Sequence, residues 1–385
     1  MGAIRLSSIV LAAVLAVGRV GPVRAGPELR RYETPYYLVY TDLEPADAAE
    51  AVVRLKVLAE ALRKGTRELG FTGRIERRLP VYLFKNRDDY LATGAPPESA
   101  GAFLGDRLVV AASDRAGAAP AWNVIQHEAF HQFAAAVKGP ELPGWVAEGL
   151  GEYFGEGLWT GDGLVTGVVP AWRAARVKKS LADGSFPPLQ HLLRMSQQQW
   201  NEKVTVSNYD QAWSVVQFIL HGRGDDADGK SLAGFLRALA GGQAVEEARR
   251  EAFGDAGDFE RRWRAYWQSL PSEPTSDRYA QAAAATVTSF VARAAAVGKP
   301  FETFDALLAA AKQDQLPCSP DEWLPPSLLH RALGWAQKQS AWRVGKIGDG
   351  TCVVLTALNG TRWIGTYALR ERRVREVTVR REDQR

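Results

Sequence analysis

Histidine is scarce in this sequence, with five in 385 residues, and cysteine is scarcer, with two. Cys318 and Cys352 allow at most one disulfide, and neither lies near a histidine motif, so no metal is assigned to them. Long apolar runs are also missing. The apolar stretch Leu6–Val17 is too short to span a bilayer, so no stable membrane span is expected, and no cysteine follows it to carry a lipid anchor. Charge of one sign is not in excess: 48 basic residues stand against 44 acidic ones. Three of the basic residues, Arg5, Arg19 and Arg24, fall in the first 25 positions, which leaves 45 against 44 in the rest of the chain. A balance that close to neutral gives nucleic-acid binding no general electrostatic support. Internal repeats and low-complexity tracts are absent as well.

What is present is enough for a sizeable core. With 46% hydrophobic residues over 385 positions, two or three domains are expected. Met1–Arg5 reads as a basic n-region, Leu6–Val17 as an h-region, and Val23-Arg24-Ala25 as a cleavage site before Gly26. Residues 1–25 are therefore expected to be a signal peptide, and the rest to be periplasmic or extracellular. A leader left uncleaved would tether the protein to the membrane. In that compartment Cys318 and Cys352 could be joined, or could stay as two buried thiols. The basic run Arg370–Arg385 is interleaved with acids and reads as a solvated strand face.

Two of the five histidines sit in His127-Glu128-Ala129-Phe130-His131. A spacing of four puts both imidazoles on one face of a helix, one turn apart, where they can share a tetrahedral zinc ion. The flanks, Trp122–Gln126 and Gln132–Val137, continue that helix from Pro120 to Gly139-Pro140. Glu128 can act on a water at the metal, as general base and then as proton donor. A third ligand is needed, and Glu148 in Trp145-Val146-Ala147-Glu148-Gly149-Leu150-Gly151-Glu152-Tyr153-Phe154 is the natural candidate.

The order HExxH, short loop, W-x-x-E-G-x-x-E-Y resembles the gluzincin metallopeptidases of the thermolysin-like clan, and within it the bacterial peptidase MA-like domains. The likeness is carried by residues 105–160. It implies one Zn²⁺ per chain held by His127, His131 and Glu148, with Glu152 orienting a ligand histidine from behind. The gap from His131 to Glu148 is shorter than in thermolysin, which points to a compact relative. Tyr209-Asp210-Gln211-Ala212-Trp213-Ser214-Val215-Val216-Gln217-Phe218-Ile219-Leu220 resembles a helix of the same domains. On that likeness Tyr209 would donate to the developing oxyanion, with His221 as a rival donor or a helix C-cap. His191 and His330 show no metal spacing and read as structural. The likeness also makes the strand before the HExxH helix the edge strand. Val109, Val110, Ala111 and Ala112 would then bind substrate backbone by β-augmentation, the alternative being an ordinary internal strand.

Elsewhere the pattern predicts strands over 32–41 and 79–84, and helices over 45–69 and 87–92, the latter with Tyr90 inward. A hairpin is expected around Gly161-Asp162-Gly163. Residues 170–268 read as mostly helical, with helices over 189–195, 209–220, 231–239, 244–253 and 259–269. Pro271–Thr275 reads as a linker, 278–312 as helix, and 342–346, 351–356, 361–367 and 374–379 as strands joined by turns at Gly348-Asp349-Gly350 and Asn359-Gly360. The fold class is α+β: a zincin-like catalytic domain over 26–270, with sheet and active-site helix to 138 and a helical subdomain after it. A linker and helical segment (271–340) and a small antiparallel β module (341–385) follow, the latter with no ligand indicated. The expected function is an exported zinc-dependent peptidase acting on peptide or protein substrates. The alternatives are a zinc-binding, non-proteolytic scaffold and a metal-dependent hydrolase of a cell-wall amide. No motif for holding a free amino terminus is present.

Overall fold

The computed structural model describes residues 28–111, 122–137, 141–196, 198–200, 205–222, 229–336, 340–347, 350–357 and 360–382. The expected leader and cleavage site, Ala112, Pro120, Gly139-Pro140 and parts of the turns at 348–349 and 358–359 lie outside the described residues. The architecture is α+β in two compact units: Met1–Glu156 with Val169–Ser272, and Gly157–Val168 with Glu273–Arg385.

The first unit opens with β1 (Arg30–Glu33) and β2 (Tyr37–Thr41), where one strand is expected. Pro35 has no N–H to donate, and Thr34 Oγ1 accepts from the backbone nitrogens of Tyr36 at 3.2 Å and Tyr37 at 2.8 Å. The chain therefore turns back on itself. Helix α1 (Pro45–Glu68) follows, burying Leu55, Leu58 and Leu62 as its apolar spacing requires. Then come β3 (Leu79–Phe84), α2 (Arg87–Leu91) with Tyr90 buried, β4 (Gly101–Phe103) and β5 (Leu108–Ala111).

The sheet order is β1-β2-β3-β5-β4, with β2, β3 and β5 parallel and the two edge strands antiparallel. This corrects the edge-strand expectation. β5 is internal, paired with β3 on one side and β4 on the other. Val109, Val110 and Ala111 are buried with their backbone groups committed to two ladders, and cannot bind a substrate backbone. Among the described residues the edge is β4, a strand of three residues, too short to leave a period-2 signal.

The helical remainder is α3 (Trp122–Ala136), α4 (Gly144–Gly155), α5 (Ala171–Ala182), α6 (Leu189–Arg194), α7 (Val206–His221), α8 (Lys230–Ala240), α9 (Val245–Phe253) and α10 (Ala256–Ser269). Helix α5 has no counterpart among the expected helices. Helix α7 starts at Thr205, whose N–H donates to Asn208 Oδ1 at 2.9 Å. Its buried face meets Trp263 and Trp267 of α10, whose indole N–H groups donate to Ser214 Oγ and Ser214 O, both at 3.1 Å. Helices α4 and α7 touch backbone to backbone. A Cβ on Gly149 would fall 2.6 Å from Val216 Cγ2 and 2.8 Å from Ala212 O.

In the second unit the hairpin forms as expected, from β6 (Leu158–Trp159) and β7 (Leu164–Val165). It groups with the C-terminal part of the chain, although its sequence position suggests the first domain. Asp162 in its turn accepts two bonds from Arg293, at 2.7 and 2.9 Å. The helix expected over 278–312 is two, α11 (Ser276–Ala296) and α12 (Phe304–Lys312), broken where Gly298 takes φ +76° and Pro300 lacks an N–H. Helix α13 (Pro326–Ala336) is additional. Strands β8 (Ser340–Ile347), β9 (Gly350–Ala357), β10 (Arg362–Arg370) and β11 (Arg373–Glu382) form an antiparallel sheet in the order β11-β10-β9-β8. Ala280, Ala283 and Ala284 of α11 pack on Leu355 and Trp363, which makes sheet and helix one unit and not a separate β module. The two cysteines are free thiols. Cys352 is buried beside Val354 and Ile364, and Cys318 is partly exposed. Among the described residues no helix is long and apolar enough to cross a membrane.

Replacing Gly149 by alanine forces a methyl group into the α4–α7 contact. Gly149→Ala is expected to destabilise the first unit by about 1–3 kcal/mol, measured as a lower urea midpoint at unchanged m-value.

Candidate metal centre

Helices α3 and α4 carry the motif residues, and small side chains let them meet. A Cβ on Gly151 would lie 2.9 Å from His127 Cε1 and 3.0 Å from its Nε2. Any larger residue there would displace the imidazole. Gln126, one position before His127, donates to Phe154 O at 3.0 Å and Gly155 O at 2.9 Å, satisfying carbonyls that the end of α4 leaves open. Phe130 stacks on Phe154 with centroids 5.5 Å apart. These contacts register one helix against the other.

The result is a cluster of three donors. His127 Nε2 is 3.0 Å from His131 Nε2 and 3.2 Å from Glu148 Oε2, and His131 Nε2 is 3.5 Å from the same oxygen. Zinc bonds of 2.0–2.2 Å at tetrahedral angles place ligand atoms about 3.3–3.6 Å apart. The three separations lie within a few tenths of an ångström of that, so the residues fit a metal ion of this size. Two imidazole nitrogens aimed at each other beside a carboxylate, almost without solvent, also form a donor set with no other shared partner among the described residues.

Glu128 stands beside this group, 1% exposed. Its Oε2 accepts from the backbone N–H of Phe103 in β4 at 2.9 Å, while Oε1 is buried without a hydrogen-bond partner among the described residues. Burial pushes its carboxyl above the usual range, and the two histidines pull it back. Glu152, one turn past Glu148, faces His127 Nδ1 at 3.4 Å, just beyond hydrogen-bond geometry. Burial works against charge on His127, yet Glu148 and Glu152 outweigh it and lift its pKa to about 10. Against the same penalty, His131 and His127 hold Glu148 down to about 2. Glu152 is also held down to about 2, with Arg173 ahead of His127 as the cause.

Arg173, on α5, is the site residue that the sequence reading did not single out. It is 3% exposed and reaches Glu152 Oε2 at 2.5 Å, Glu156 Oε1 at 2.9 Å and, through Nε, Asp210 Oδ1 at 3.1 Å. Its guanidinium lies over the Trp213 ring, 4.4 Å from the centroid. A signal for it exists: Glu148, Glu152 and Glu156 recur every four residues on an otherwise apolar helix, and buried acids in that pattern require a cation.

The structure brings together His127, Glu128, His131, Glu148 and Glu152. It does not bring Val109, Val110 and Ala111 to an edge, and Ala112 lies outside the described residues. Tyr209 is buried on α7 with its ring edge-on to Trp200 at 5.8 Å, which is the packing of a core aromatic. His221, the last residue of α7, lies 3.1 Å from Tyr153 Oη through Nε2. His191 and His330 are exposed.

Residues 122–240 match a family described as a protein of unknown function (DUF1570). The match covers less than a third of the chain and contains the three candidate ligands, Glu128, Glu152, Arg173 and Asp210. No curated protein matches the sequence.

Gly151→Ala tests the fit. With no room between the helices, the added methyl is expected to turn the His127 ring and weaken binding of a divalent ion by about 10–100-fold. Competition against a chromophoric chelator measures it.

Proposed function

We propose that this chain is a zinc-dependent peptidase of the gluzincin type, exported by its leader-like N-terminus. The observation that carries the reading is the joint geometry of two imidazoles, a carboxylate and a separate buried carboxylate. Three donors lie 3.0–3.5 Å apart, and Glu128 stands next to them with one oxygen tied down and one without a partner among the described residues.

His127, His131 and Glu148 would hold the ion. When bound, zinc supplies Lewis acidity for a carbonyl oxygen and makes a coordinated water acidic near neutral pH. Glu128 takes a proton from the attacking water through Oε1, while the Phe103 N–H keeps the carboxylate from rotating. It then returns that proton to the leaving nitrogen as the C–N bond breaks, so no net proton is gained or lost by the protein. Glu152 keeps the His127 proton on Nδ1 and directs the Nε2 lone pair at the ligand position. An extended peptide would lie along β4. Ala111 N donates to Ala100 O and Leu104 N donates to Arg107 O, so alternate residues 100, 102 and 104 face β5. Gly101 turns its N–H and C=O to the other side, and Phe103 its C=O, where a substrate strand can pair, the Phe103 N–H being held by Glu128.

The test is Glu128→Gln in the mature protein, beside wild type, with a mixed-peptide cleavage assay and metal analysis on both. About one zinc per chain in each, with cleavage reduced about 10²–10⁴-fold in the variant, is the expected result. Retained zinc with no cleavage by the wild type would reject peptidase activity, and no zinc in either would reject the metal site.

A further inference from the structure

Four helices meet in one line of polar contacts behind the candidate ligands. Asp210 of α7 holds Arg173 Nε of α5 at 3.1 Å, Arg173 Nη1 holds Glu152 Oε2 of α4 at 2.5 Å, and Glu152 Oε1 faces His127 Nδ1 of α3 at 3.4 Å. We infer that Arg173 is a positioning residue for the metal ligand His127, acting through Glu152. This rests on the metal-site reading above.

The argument starts from what Glu152 has to do. It must stay an acceptor on the side of His127, because only then is the imidazole proton kept on Nδ1 and the Nε2 lone pair left for the ion. Left alone, a carboxylate in this place would not stay so. Its side chain is 17% exposed and it shares the region with Glu148, Glu156 and Asp210. Like charge on three sides pushes it out toward solvent. Arg173 opposes that movement. Its Nη1 clamps one carboxylate oxygen, and the other oxygen is thereby turned to the histidine.

Arg173 is itself immobilised from three further directions. Glu156 takes Nη1 at 2.9 Å, Asp210 takes Nε, and the guanidinium carbon lies over the Trp213 ring, 4.4 Å from its centroid. Arg176 makes a second contact to Asp210, with Nη2 at 2.5 Å from Oδ1, so the anchoring carboxylate does not depend on Arg173 alone for its counter-charge. A planar fork of donors meets this arrangement, and an ammonium group does not. Arg173 touches neither ion nor substrate, so its effect should appear in ligand geometry and affinity.

The experiment compares wild type, Arg173→Met and Arg173→Lys as full mature chains. Zinc affinity is measured by chelator competition, the visible absorption of the cobalt-substituted protein is recorded, and thermal unfolding is followed without added metal. Arg173→Met is expected to bind zinc about 10–100-fold more weakly and to shift the cobalt bands. Arg173→Lys, which keeps the charge without the fork, should recover part of the affinity. Should Arg173→Met fail to fold, the double variant Arg173→Met/Glu156→Gln removes a carboxylate with the cation and serves in its place. A folded variant with wild-type zinc affinity and an unchanged cobalt spectrum overturns the inference, even if its unfolding temperature drops, because that is the signature of a purely structural role. A wild-type chain that takes up neither ion overturns the metal-site reading and this inference with it.

Discussion

The site depends on α3 and α4 approaching with no side chain between Gly151 and the imidazole of His127. At ordinary helix separations the carboxylate of Glu148 and the two Nε2 atoms would lie too far apart to share an ion. Here they lie 3.0–3.5 Å apart, and the closeness comes from backbone. Glycine costs about 0.5–1 kcal/mol relative to alanine inside a helix. Helix α4 carries Gly149 and Gly151 within three positions, one against α7 and one against α3. A helix built that way owes its stability to what it packs against. The buried rings of Trp145, Phe130 and Phe154, and the Gln126 bonds to its last turn, supply that packing.

Close packing removes water from a region dense in charge, and the second constraint follows. Glu148, Glu152, Glu156 and Asp210 are largely or fully withdrawn from solvent, and each needs a counter-charge. The histidines serve Glu148. Arg173 and Arg176 serve the other three, which leaves one negative charge in excess. The excess appears at Glu156. Burial pushes its carboxyl up, and the neighbouring Glu152 adds to the rise despite Arg173. Glu152, bonded to the same guanidinium and facing His127 as well, goes the other way. Two carboxylates a turn apart on one arginine thus differ, because His127 also holds Glu152 as an anion while burial and Glu152 itself raise Glu156. Removing a single partner from such a network typically costs about 3–5 kcal/mol.

Much of this was legible in the sequence, and the boundary between what was and was not has physical causes. HExxH and the acids at 148 and 152 were readable because metal ligation demands particular residue types at helical spacing. Long periodic elements such as α1 and the four C-terminal strands were readable because one buried face imposes a period. Arg173 was not, because an arginine on a helix is ordinarily solvated, and only the folded arrangement of α4, α5 and α7 shows it surrounded. The order of strands in the sheet was not, because β5 has the apolar run of any buried strand and the true edge, β4, has three residues. The hairpin at 158–165 was recognisable from its Gly-Asp-Gly turn, but its grouping with α11 depends on Arg293, more than a hundred residues away in sequence.

The short β4 strand also explains the posture of Glu128. A general base needs one oxygen held and the other available, and those demands conflict in a buried carboxylate. A second hydrogen bond would stabilise it and at the same time occupy the working atom. The fold meets the first demand with the outward N–H of Phe103, which no neighbouring strand uses because β4 ends the sheet. Had β5 been the edge, as the likeness to the zincins implied, the outward N–H groups would have come from residues 108–111. The carboxylate of Glu128 would then have been set by a different strand. Among the described residues Oε1 has no hydrogen-bond partner. An acceptor left open in this way beside three ligand-type atoms is what the proposed general base requires. The rest of the first unit, from the α3–α4 contact to the Arg173 network, supplies the rigidity that lets it remain there.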